Sequence, residues 1–255
     1  MNTTSASPAE RPGQAGDKPR PAGAAATVRI LVWDAPVRVF HWLMVACFAT
    51  AYLTAETERW RLLHVTAGYT MAGLVAFRLL WGLLGTRHAR FASFVRGPQA
   101  VVRYLKSLVA GHPEHHVGHN PAGAVAILLL LGLTIVSTAT GYAIYNELGP
   151  EALEEVHEFA GNAMLAVVIA HVAAVLLSNR LHGENLVRAM VTGFKNGPAA
   201  DGVRSAWRSL AALMLVAVLG FWAWQWQTAP APGDLATAGQ HATHDQGNDH
   251  DEDDD

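Results

Sequence analysis

The stretch from residue 151 to 179, EALEEVHEFAGNAMLAVVIAHVAAVLLSN, sets the terms for the rest of the chain. It is long and apolar enough to cross a bilayer as a helix, and it carries two histidines, His157 and His171. Fourteen residues separate them. At helical pitch that places them about 21 Å apart along the axis and only about 40° apart around it. One helix thus presents an imidazole near each membrane surface, on nearly the same face. A histidine inside hydrocarbon is costly and needs a partner, so its default reading is functional.

The rest of the chain is of the same kind. Of its 255 residues 51% are apolar and 15% charged, against roughly 25% charged in a soluble domain. The first 27 residues lack the apolar core of a signal peptide and, being rich in Ala, Pro, Gly and charge, are expected to be disordered. The single cysteine, Cys47, excludes an internal disulfide, and without a Cys-x-x-Cys-His there is no c-type haem attachment. No internal repeat and no nucleotide-binding glycine motif occurs, and nothing points to nucleic acid.

Hydropathy places five spans, at about 37–55, 62–84, 122–144, 159–177 and 210–226. Fifteen of the basic residues fall in the N-terminal segment as far as Arg38 in the first turn of span one, between spans two and three, or between spans four and five. The opposite side holds only Arg59 and Arg61, with Glu147, Glu151, Glu154, Glu155 and Glu158. The positive-inside rule then puts the N-terminus in the cytoplasm and the C-terminus in the periplasm. Residues 98–110 and 184–195 read as amphipathic helices, lying on the cytoplasmic surface or packed on the bundle.

With this topology four of the thirteen histidines sort by depth. His41 and His171 fall near the cytoplasmic face, His64 and His157 near the outer one, each pair on two different helices. Paired histidines on facing helices can hold haem b between them, one axial nitrogen each. Gly68 and Gly161 each follow an outer-level histidine by four residues, removing a side chain on the ligand's face where a flat porphyrin would lie. Taken singly, either glycine is equally a helix-packing residue. Interhelical hydrogen bonding would account for one histidine but poorly for four in two level pairs. A zinc site would need ligands converging on one point.

Several segments carry a resemblance. WDAPVRVFHW (33–42), HVTAG (64–68), RLLWG (78–82), GHNPAGA (118–124) and HEFAGNAMLAVVIAH (157–171) resemble the bacterial di-haem cytochrome b family, which includes the membrane subunit of nickel–iron hydrogenases. The resemblance covers about residues 28–195. It implies a four-helix core whose haem ligands are His41, His64, His157 and His171. Arg78, fourteen residues after His64, would pair with a haem propionate or reach the cytoplasmic headgroups. Arg38 would serve a propionate or a lipid phosphate. The run HPEHHVGH (112–119) and the tail HATHDQGNDHDEDDD have the composition of metal ligands without defined spacing, and read as a solvated loop and an acidic tail.

The expected fold is an all-α integral membrane protein. A four-helix transmembrane bundle binding two b-type haems occupies 28–195, with a cytoplasmic loop at 85–121. A linker and fifth transmembrane helix follow at 196–227, and an acidic His/Asp-rich periplasmic tail at 228–255. The expected function is electron transfer across the bacterial inner membrane, as a subunit more than a stand-alone enzyme. The partners are the quinone pool (ubiquinone or menaquinone) and a periplasmic redox protein such as a c-type cytochrome. One alternative is a nickel–iron hydrogenase anchor fed by that enzyme's iron–sulfur small subunit. Another, of a different class, is a divalent-metal permease. Quinone exchange is expected at the cytoplasmic level and protein docking at the glutamate-lined outer level.

Overall fold

The computed structural model describes residues 27–111, 114 and 116–229. The expectations made for the N-terminal segment, for His112 and His115 and for the tail fall outside them, apart from Thr27 and residues 228–229. Among the described residues five helices are long and apolar enough to cross a membrane. The first, α1 (Ala35–Thr54), is capped by Asp34, whose side chain accepts from the Val37 amide, with a proline in the first turn. A 3-10 turn (Glu58–Trp60) leads into α2 (Arg61–Leu84). Two shorter helices follow, α3 (Phe91–Phe94) and α4 (Pro98–Val109).

Asn120 caps α5 (Pro121–Tyr145) by accepting from the Gly123 amide at 2.7 Å. Next come α6 (Ala152–His182), the short α7 (Leu186–Thr192) and the final span, α8 (Arg208–Thr228). Large apolar side chains point outward along the spans, among them Leu80, Leu83 and Leu84 on α2 and Leu213, Val216 and Leu219 on α8. That surface suits lipid and would be untenable in water.

Helix α1 packs on α2, α2 on α5, α5 on α6, and α8 against α1 and α2. Midway along the bundle Cys47, Ala67, Met71 and Met164 form a buried layer, with Met44, Phe48, Leu130 and Leu133 around it. Thr134 on α5 donates to the Met164 sulfur across this layer at 3.7 Å.

The fold is not purely helical. Strand β1 (Thr27–Leu31) pairs antiparallel with β2 (Phe194–Pro198), Thr27 opposite Pro198 and Leu31 opposite Phe194. The amphipathic helix expected over 184–195 therefore stops at Thr192. Gly193 takes a left-handed φ of +89° and turns the chain into β2. A side chain there would also collide with the Trp33 carbonyl, 2.7 Å from the position of its Cβ. The sheet joins the start of α1 to the segment before α8. Its cluster of Ile30, Val32, Trp33, Val37, Ala89 and Ala189 forms a second core at this strand-bearing end.

Candidate functional site

His64 on α2 and His157 on α6 face each other, ring centroids 6.1 Å apart. His64 Nδ1 lies 2.8 Å from the Ala51 carbonyl, one of the orphan carbonyls in the last turn of α1. His157 Nδ1 lies 2.9 Å from the Ser137 carbonyl of α5. A carbonyl can only accept, so each bond places the ring proton on Nδ1. Nε2 keeps its lone pair, the arrangement that orients metal-binding histidines. Gly141 sits one helical turn after Ser137 and opens that carbonyl to the ring; a Cβ there would lie 2.9 Å from His157 Cε1.

An imidazole binds a metal through nitrogen at about 2 Å, so two opposed rings on one ion would have centroids about 6 Å apart. The observed separation fits. A Cβ added at Gly68 or Gly161 would meet nothing within 4 Å. The space beside α2 and α6 one turn after each histidine is therefore open.

The other two histidines lie toward the strand-bearing end, where His171 on α6 acts electrostatically on His41 on α1. All four histidines are half-buried. Here the polar chemistry is denser. Asp34, fully buried, accepts from the Val37 amide at 2.8 Å, Trp81 Nε1 at 3.0 Å and Thr86 Oγ1 at 2.6 Å. Arg78 is 3% exposed, with its guanidinium 4.8 Å from the Phe91 ring centroid. A charge so enclosed does not reach the headgroups. The Phe91 ring in turn lies where a side chain at Gly82 would be, which explains the glycine ending RLLWG. Arg38 donates to the Thr192 carbonyl at 3.1 Å.

Several buried polar atoms at this end have no hydrogen-bond partner: Arg38 Nε, His41 Nδ1, Arg78 Nη1 and His119 Nδ1. Buried polar groups are ordinarily satisfied, so a cluster of exceptions marks an incomplete site. From sequence His119 was read only as the end of the histidine-rich run 112–119, a solvated loop, and as part of GHNPAGA. The available signal was its place in GHNP, one residue before the cap of a membrane helix. Burial, with Arg78, His88, His171 and Lys195 nearby, pushes its pKa down to about 3, so it is neutral at physiological pH.

Lys195, almost enclosed, pairs with Glu184 at 2.8 Å, and His116, from the histidine-rich run, lies 3.6 Å from Glu114. No group of three or more His, Cys, Asp or Glu suited to a metal ion occurs among the described residues. At the opposite end Glu151, Glu154, Glu155 and Glu158 are all exposed around the start of α6.

Comparison with known proteins bears on these features. A family model described as prokaryotic cytochrome b561 matches residues 32–193. The probable Ni/Fe-hydrogenase 1 B-type cytochrome subunit of Escherichia coli K12 is 26% identical, the match covering 65% of this chain and 90% of that protein. The probable Ni/Fe-hydrogenase B-type cytochrome subunit of Rhodobacter capsulatus is 25% identical (65% and 81%), and that of Cupriavidus necator 25% (64% and 86%). No solved structure matches.

Proposed function

The chain belongs to the prokaryotic cytochrome b561 family, and from that premise we propose that it transfers electrons across a bacterial inner membrane through two b-type haems, between a quinone and a periplasmic redox protein. Multi-pass membrane character, b-type haem binding and membrane electron transfer follow from the family and the five apolar helices. The finer reading rests on one observation above all. His64 and His157 confront each other at 6.1 Å with both Nδ1 atoms tied to backbone, leaving two Nε2 atoms free.

In this reading His64 and His157 hold one haem iron, and His41 and His171 the other. When bound, haem b supplies a one-electron couple at iron. Two imidazoles on each iron leave no coordination position for oxygen or substrate, which suits electron transfer. The backbone carbonyls of Ala51 and Ser137 hold the outer rings in orientation, and Arg38 and Arg78 bring positive charge to the inner level. In this reading the strand-bearing end is cytoplasmic, which the distribution of basic residues supports.

Quinone exchanges electrons at the His41/His171 level. The exposed glutamates at the other end receive the redox protein, which would carry a basic docking face such as a c-type cytochrome offers. A second reading has a specific support. The named relatives are hydrogenase cytochrome subunits, so the outer partner is alternatively the small subunit of a nickel–iron hydrogenase, with this chain as its anchor. Co-purification from native membranes separates the two.

The assignment is tested on the purified full-length protein by reduced-minus-oxidised absorbance. His64→Ala and His157→Ala should each remove one spectral component, and His41→Ala and His171→Ala the other. Loss of the same component in His41→Ala and His64→Ala, with the second intact, would overturn the pairing. A spectrum without haem would leave a metal permease as the better reading.

A further inference from the structure

We propose that His119 and Arg78 together form a carboxylate-binding pocket at the strand-bearing end, and that it holds a propionate of the haem at the His41/His171 level. The inference rests on the haem reading above and assigns the motif GHNP, which that reading leaves unused.

His119 is held on both sides. Its ring lies 4.5 Å from that of Trp33 and 4.6 Å from that of Phe94. Asn120, the next residue, is committed to capping α5. The ring therefore cannot swing away to find a partner, yet its Nδ1 is buried and has none. It also lies within electrostatic reach of both Arg78 and His171. Because burial keeps the ring neutral, it offers one N–H donor and no second positive charge.

Arg78 supplies the charge. Its guanidinium lies inside the bundle with Nη1 unpaired, and the half-buried Arg38 nearby has its Nε buried and unpaired. The carboxylate acting on both is Asp34, and its hydrogen bonds go to Val37, Trp81 and Thr86 instead. The buried Arg78 guanidinium thus has beside it only a carboxylate whose hydrogen bonds go elsewhere. Buried charges are paired and hydrogen-bonded in folded proteins, so Arg78 lacks a negative charge bonded to it. A carboxylate would supply that charge and accept from both the Arg78 guanidinium and the His119 ring, with the geometry guanidinium favours. A quinone carbonyl would accept the hydrogen bonds but leave the charge uncancelled. A lipid phosphate would have to enter the bundle to reach a side chain that is 3% exposed.

The test uses full-length protein carrying haem labelled with carbon-13 at both propionate carboxylates, read by redox-difference infrared spectroscopy and potentiometry. His119→Phe preserves the ring packing and removes the donor. It should shift one labelled carboxylate band and lower the midpoint potential of that haem, leaving the other haem unchanged. His119→Asn, which restores an N–H near the Nδ1 position, should return the band toward its original place. Arg78→Lys should move the same band, and these two variants carry the test if His119→Phe does not fold. Labelled bands unmoved in every variant would overturn the proposal. So would a response confined to unlabelled bands that require added quinone or lipid. His41→Ala and His171→Ala run in parallel. If they leave both haems in place, the ligand assignment has failed; if they remove one while His119→Phe leaves that haem's propionates untouched, only the present inference has.

Discussion

At the His64/His157 end the protein by itself satisfies its polar groups, whereas at the His41/His171 end it leaves several open. The outer rings are fixed by two backbone carbonyls, and Gly141 clears the approach. The inner level has a saturated Asp34, a buried Arg78 and a half-buried Arg38 each with a buried unpaired nitrogen, and unpaired Nδ1 atoms on His41 and His119. Backbone carbonyls are held in place by helix hydrogen bonds, so ligands tied to them are preorganised before anything binds. Side-chain donors in a buried cluster have no such independence, and the cluster is complete only with an acceptor in place. One end is therefore a rigid ligand frame. The other is a cluster of buried polar groups that an added acceptor would complete.

The comparison breaks most readily at Asp34. Asp34→Ala would strand the donors of Val37, Trp81 and Thr86 and remove the carboxylate nearest the buried Arg78, costing at least about 3 kcal/mol. Thermal unfolding of the detergent-solubilised protein should fall sharply and the His41/His171 component should be lost first. Preferential loss of the other component would mean that the two ends are not independent. Next in size is Gly141→Leu, which crowds His157 and costs about 1–3 kcal/mol by overpacking. Its effect should be confined to the outer component, visible as an altered low-temperature absorbance or paramagnetic signal. An unchanged spectrum would show that Gly141 does not set the ring's position.

Neutralising Glu151, Glu154, Glu155 and Glu158 to Gln should slow electron exchange with a basic periplasmic partner by about tenfold at low ionic strength, the difference fading as salt rises. Exchange with a short-chain quinone should persist, and the opposite pattern would reverse the assignment of the two ends. The smallest effect concerns pH. His119 in the folded protein titrates near 3, against an ordinary value near 6.5, with Arg78, His88, His171 and Lys195 as its charged or titratable neighbours. Between those values the unfolded chain binds the extra proton, so stability rises with pH across the window. Melting should therefore be lower at pH 5 than at pH 7. His119→Phe should narrow the gap, and a gap unchanged in that variant would remove His119 as its cause.

Much of the architecture was legible because membrane physics writes it into hydropathy. The five spans emerge within a few residues of the helices, since a backbone in lipid has no alternative to satisfying itself as helix. The caps are local features of the same kind: Asp34 and Asn120 each precede a proline in the first turn of a span. The sheet was not. Its two strands are five residues each and lie more than 160 residues apart, too short and too distant for any periodicity to announce them. For the same reason residues 184–195 look like one amphipathic helix until Gly193 and the pairing with β1 divide them. Asp34 also shows the limit. Its cap role is local and readable, but its bonds to Trp81 and Thr86 are properties of the packed end.

What the sequence determined by itself was periodic or compositional: the number of spans, the placing of His157 and His171 on one face, the bias of basic residues to one side, and the family resemblance. These follow from the 1.5 Å rise of a helix and the cost of polar groups in hydrocarbon, which act on each segment separately. What only the tertiary structure decided was which atoms remained unpaired once the segments met. Whether Arg78 reaches lipid or stays enclosed, and whether His119 is a loop residue or part of a pocket, depends on Trp33, Phe91 and Phe94 arriving from elsewhere in the chain. Burial and hydrogen-bond satisfaction are sums over all neighbours, and no single segment contains them.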